Sequence, residues 1–122
     1  MLEICAIASG SNGNCYYIGN EKDALLVDAG ISCKQIVNRL RERELNPGKI
    51  KAVFISHEHS DHMIGARVLG KRLNIPVYLT AKTFNGAYRN QRPDAPRFFQ
   101  PGHEIQVGEF TVHPFLKNHD AS

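Results

Sequence analysis

The runs Glu3-Ile4-Cys5-Ala6-Ile7-Ala8 and Cys15-Tyr16-Tyr17-Ile18 flank the polar, glycine-rich stretch Ser9-Gly10-Ser11-Asn12-Gly13-Asn14. The pattern predicts two strands joined by a turn. Asn20-Glu21-Lys22-Asp23 turns the chain again, and Ala24-Leu25-Leu26-Val27 is continuously apolar, as in a strand buried on both faces. Beyond it Cys33, Ile36, Val37 and Leu40 recur at i, i+3, i+4 and i+7. This spacing predicts a helix with one apolar face, capped by Ser32 and stopped by Asn46-Pro47-Gly48. Lys51 to Ile55 reads as the next strand. A second helix, capped by Ser60 or Asp61, runs to about Leu73 with Ala66, Leu69 and Leu73 inward. Pro76 to Leu79 predicts a strand and Ala81 to Tyr88 a short helix. Arg89 to Pro101, with three prolines, reads as a polar connection. Glu104 to Val107 and Phe110 to His113 predict a hairpin around Gly108-Glu109.

Strands first, then strands alternating with helices, predict a layered α+β or α/β domain. At 122 residues the chain is one domain, residues 1–122, with no repeat or interdomain linker. Its net charge of +3 permits an anionic substrate without arguing for one. Cys5, Cys15 and Cys33 are odd in number and lack CxxC spacing, which points to reduced thiols. The alternative is a disulfide between Cys5 and Cys15 across a hairpin. Met1-Leu2-Glu3-Ile4 lacks the basic-then-apolar pattern of a signal peptide, and no run reaches transmembrane length. The expectation is a cytoplasmic protein without a membrane partner.

The chemistry concentrates in Ser56-His57-Glu58-His59-Ser60-Asp61-His62, directly after the apolar run Ala52-Val53-Phe54-Ile55. Imidazole nitrogen and carboxylate oxygen are the usual ligands of zinc and similar divalent metals. In extended backbone His57 and His59 project to the same side, while Asp61 and His62 reach a second position at the turn into a helix. One short segment can thereby supply two adjacent metals, as dinuclear hydrolytic sites require. Asp28, closing the strand that ends at Val27, is either a turn residue or part of the site.

The cluster matches the HxHxDH signature of the metallo-β-lactamase fold superfamily. Asp28 resembles that family's first motif, an aspartate at a strand end. His119, after the hairpin and followed by Asp120-Ala121, resembles its third, a single metal-binding histidine. Ser9-Gly10-Ser11-Asn12-Gly13-Asn14-Cys15 is similar to the SGSxGN opening of the YycJ/WalJ branch, described as DNA exonucleases. Cyclic phosphodiesterases of the PhnP type and nucleases of the tRNase Z type share parts of this opening.

The resemblance implies an α+β fold, the N-terminal half of an αββα sandwich. His57, His59 and His119 would hold a first metal, and Asp61 and His62 a second. Asp28 would orient the ligand loop by hydrogen bonds. Two divalent ions, zinc or manganese, would serve the intact protein, with Asp61 also carrying the proton of the attacking water. The implied substrate is a nucleic acid phosphodiester, DNA first. No residue is assigned to substrate binding, although the arginines of the Arg89–Arg97 segment are candidates. His103 and His113 match no motif and are read as structural. The family pattern continues with a bridging aspartate and a further histidine that have no counterpart before Ser122. The expectation is therefore a truncated chain that cannot complete a dinuclear site alone. Thioester or lactam hydrolysis on the same centre, and a degenerate binding domain, are the alternatives.

Overall fold

A computed structural model of the protein describes residues 1–10, 13–56 and 63–114. The predicted apolar runs become β1 (Glu3–Ala8), β2 (Cys15–Gly19), β3 (Ala24–Val27) and β4 (Ile50–Phe54). They are followed by β5 (Val77–Leu79) and β6 (Pro96–Phe98). These six form one mixed sheet whose strands lie side by side in chain order. β1, β2 and β3 pair antiparallel, and β3 through β6 are parallel. Parallel neighbours need crossover connections, and helices lie in all three: α1 (Cys33–Glu42), α2 (Ala66–Leu73) and α3 (Ala81–Gly86).

The period-2 alternation of the strands divides the core. Leu26, Val53, Ile55, Val77 and Leu79 face the helices and pack with Ile36, Val37, Leu40, Ala66 and Leu69. Leu25, Ala52 and Phe54 face the other way, toward a separate hairpin of β7 (Ile105–Val107) and β8 (Phe110–Val112). On that face Phe54 stacks on its parallel neighbour Tyr78, ring centroids 4.7 Å apart and 9° from coplanar. The hairpin is pinned at its turn. The Glu109 amide donates to Asp23 Oδ2 at 2.9 Å, and Asn20 Nδ2 donates to Glu109 Oε1 at 2.9 Å. The result is α+β: helices, a six-stranded sheet, and a two-stranded layer beneath it.

α1 starts where its sequence indicates. Ser32 Oγ accepts from Gln35 N at 3.2 Å and Gln35 Oε1 accepts from Ser32 N at 3.3 Å, a reciprocal capping box. Its helical span ends at Glu42, four residues before Asn46-Pro47-Gly48, which instead forms part of a 3-10 turn (Pro47–Lys49). α2 begins at Ala66 with Gly65 at its N-cap; the predicted caps Ser60 and Asp61 lie outside the described residues. The predicted polar connection from Arg89 to Pro101 contains a 3-10 turn (Arg89–Gln91) and the edge strand β6. The cysteines are free thiols, with Cys5 opposite Tyr17 and Cys15 opposite Ala8 rather than each other.

Candidate metal centre

The C-terminal ends of the parallel strands β3 and β4 and the β1–β2 turn share one edge of the sheet. In open parallel sheets this is the edge where ligands bind. Asp28 follows β3 there, 4% exposed and in left-handed backbone conformation at φ 67°. Its amide donates to Phe54 O at 2.7 Å, tying it to β4. Its carboxylate accepts from the Ser56 amide at 2.8 Å and from Ser56 Oγ at 2.9 Å (Oδ1) and 2.8 Å (Oδ2). A buried carboxylate held in strained backbone by neighbouring donors is the kind of outlier that clusters at functional sites. It fixes the direction in which the chain leaves β4 one residue before His57.

The loop that carries Asp28 is gripped from two sides. Gly30 N donates to Asn14 O at 2.8 Å, and Gly65 N donates to Ala29 O at 2.8 Å. A Cβ on Gly13 would lie 2.3 Å from Gly30 O, and one on Gly65 would lie 2.2 Å from Ile31 O. Any side chain at either position would push the loop away. This gives the Gly13 of the polar opening a local purpose: it lets the β1–β2 turn close on the loop beside Asp28. Beneath the loop the Cys15 thiol is pushed up to about 12, by burial first and by the Asp28 carboxylate second. It is a packed thiol rather than a nucleophile.

Of the residues predicted for the site, Asp28 is placed at the strand end as expected. His57, His59, Asp61, His62 and His119 lie outside the described residues. Ser56, to which the sequence reading gave no role, joins the site through Asp28. Its signal was its position, the last residue before the histidine cluster, opposite an acid on the neighbouring strand. The donor types of the predicted set, four imidazoles and the Asp61 carboxylate, are those that suit a divalent metal, and Asp28 holds Ser56, the residue before them.

Residues 8–116 match the metallo-beta-lactamase superfamily. The chain belongs to this superfamily. It is 36% identical over 124 residues to an exodeoxyribonuclease YycJ from Bacillus anthracis, covering 99% of this chain and 47% of that protein. It is also 36% identical over 120 residues to an exodeoxyribonuclease WalJ from Streptococcus pneumoniae, covering 94% of this chain and 45% of the relative. The chain thus spans about half the length of these superfamily members. A solved metallo-beta-lactamase, Rm3, superposes with a TM-score of 0.75 at 17% identity, over 88% of this chain and 46% of its own. That likeness is one of fold, and the six-stranded sheet with its helices corresponds to the N-terminal half of the superfamily sandwich.

The basic segment between α3 and β6 divides by role. Arg92 lies over the Phe84 ring, 5.1 Å from its centroid, and donates to Ala87 O and Asn85 O, so it holds its own loop. Arg97 is exposed on β6 and lines a cleft at the other edge of the sheet. No helix among the described residues is long and apolar enough to cross a membrane.

Proposed function

We propose that this chain carries the metal-binding half of a nucleic acid phosphodiesterase, with DNA as the first substrate to test. His57, His59 and His119 hold one divalent ion, zinc or manganese, and Asp61 and His62 a second. Metal held there would supply a nucleophile active near neutral pH and stabilisation of negative charge on a phosphoryl oxygen. Asp61 accepts the proton of the attacking water. Asp28 positions the ligand segment through its hydrogen bonds to Ser56. That contact is the observation carrying the proposal, because it anchors the histidine-bearing segment to a buried acid. The names of the two 36%-identical relatives support hydrolysis of DNA.

The test has two arms. The zinc and manganese content of the 122-residue chain is measured first; tightly bound metal is expected, and its loss in His57→Ala and His59→Ala. The full gene product is then given end-labelled duplex DNA and metal, with Asp61→Ala as control. Metal-dependent shortening from one end, lost in the control, supports the proposal. Intact DNA with a protein loaded with both ions refutes it, and thioesters and small cyclic phosphodiesters become the next substrates.

A further inference from the structure

The positive charge of this protein is not evenly distributed. Residues 63–100 hold seven Lys and Arg and one acid, a net of +6, whereas the rest of the chain nets −3. A basic flank on a chain of modest overall charge is the electrostatic footprint expected of a nucleic acid surface. Three features of the fold give this flank a direction.

The first is the cleft of about 300 Å³ between α2 and the start of β6, lined by Arg67, Lys71, Asp94 and Arg97 among others. Arg67 Nε and Lys71 Nζ both reach Asp94, at 3.2 and 3.3 Å, across exposed side chains. Exposed pairs of this kind contribute little, so an incoming phosphate can take over either cation. Arg97 is register-paired with Tyr78 and so belongs to the hairpin face of β6, away from this pair of cations. The second is Phe98, 55% exposed at the far end of β6. Its ring is braced edge-on by Phe84, centroids 5.4 Å apart at 88°. A half-exposed, braced ring offers a face to a base without having to be ordered first.

The third is placement. β6 is parallel to β4, two strands away, and Phe98 stands at the same edge of the sheet as Asp28 and Ser56. The cleft lies at the opposite end of β6. Strand spacing puts Phe98 roughly 10 Å across the sheet from the end of β4, and three residues carry the edge roughly 10 Å further to the cleft. A strand end held at the metal centre therefore meets a stacking ring first and a group of cations next.

We infer that the flank formed by α2 and the edge strand β6 is a track for single-stranded nucleic acid, with Phe98 stacking on a base and Arg67 and Lys71 contacting phosphates. It rests on the phosphodiesterase reading and extends it to how the scissile strand is held. Asp94 then acts as a resident competitor that phosphate displaces.

Binding of fluorescein-labelled single-stranded DNA to the 122-residue chain, read by anisotropy in EDTA, tests the track without any contribution from metal. Phe98→Ala weakens binding about fivefold or more, and Phe98→Trp retains it. Arg67→Ala lowers the slope of log K against log salt by about 0.7, the value for one single-strand phosphate contact. Asp94→Asn tightens binding, and Lys34→Ala, on the exposed side of α1, leaves it unchanged. An RNA arm separates the two nucleic acids, and binding of either by the flank supports the track. The inference is overturned if wild type binds neither strand, or if Phe98→Ala and Arg67→Ala match wild type in affinity and salt slope. A chain that binds strands through this flank yet holds no metal refutes the proposed function alone.

Discussion

Replacing Asp28 separates two contributions that the structure superposes on one residue. Its carboxylate accepts from the Ser56 amide and hydroxyl, and its backbone sits at φ 67°. Hydrogen bonds to a charged acceptor are worth about 1.5–3 kcal/mol. Left-handed backbone costs an ordinary L-residue roughly 1–2 kcal/mol, less for Asp and Asn. Asp28→Ala forfeits the acceptor and takes on the full backbone cost, so a loss of about 3 kcal/mol is expected. Asp28→Gly loses the acceptor without the backbone cost and falls near 2 kcal/mol. Asp28→Asn keeps an oxygen acceptor and a tolerance of that conformation, for a loss of about 1 kcal/mol. Urea unfolding followed by circular dichroism in EDTA reads these differences with metal out of the balance. An Asp28→Ala loss within about 0.5 kcal/mol of wild type, or Asn as the worst of the three, would show that neither contribution operates. The same variants titrated with zinc test the proposed positioning role, because outer partners of metal ligands typically set 10–100-fold in affinity.

Gly65→Ala places a methyl 2.2 Å from Ile31 O; a loss of roughly 1–3 kcal/mol is expected by the same unfolding assay, and an unchanged midpoint would show that the loop has slack. Tyr17 is fully buried and its hydroxyl has no hydrogen-bond partner among the described residues. Tyr17→Phe should therefore raise stability by about 1 kcal/mol, and a clear loss would reveal a partner for that hydroxyl. Burial raises the Cys15 thiol from 9.0 to about 12. The folded protein keeps this proton where the unfolded chain releases it, so the associated stability is present below pH 9.0 and declines as pH rises toward 12. Comparing unfolding at pH 8 and 10.5 should give a loss of about 2 kcal/mol from this group, absent in Cys15→Ala; equal losses in the two proteins would refute it. Phe54→Ala, which removes the ring stacked on Tyr78, should cost about 3–5 kcal/mol, and a loss under 1 kcal/mol would mean the hairpin face contributes little to the fold.

The strands that could be read from the sequence are those whose pattern reports burial. Ala24–Val27 is apolar at every position because it is covered on both sides, and it forms as predicted. The Ser32 cap was legible because a capping box is a local device needing only Gln35 three residues on. β6 was not legible. It has three residues, begins with proline and exposes Arg97 and Phe98, so no alternation marks it. It exists because β5 offers a paired edge, which is tertiary information. Asp28 was ambiguous for a related reason. An acid after a buried strand is most often a turn residue, and its contact with Ser56 lies 28 positions away. Conversely, the grip of Gly13 and Gly65 on the Asp28 loop is a matter of backbone approach, which residue identity signals only as a glycine.

The six strands of the main sheet stand in space in the order in which they stand in the chain. Each strand from β2 onward therefore finds its neighbour already made, and each newly finished βα unit needs only to dock on the most recent edge. Such a sheet can be assembled progressively as the polypeptide emerges from the ribosome, N-terminus first. Loop-closure costs stay small because no strand must wait for a distant partner. On this route the Asp28 loop is delivered before Ser56, so the buried acid is in position when the residue that donates to it arrives.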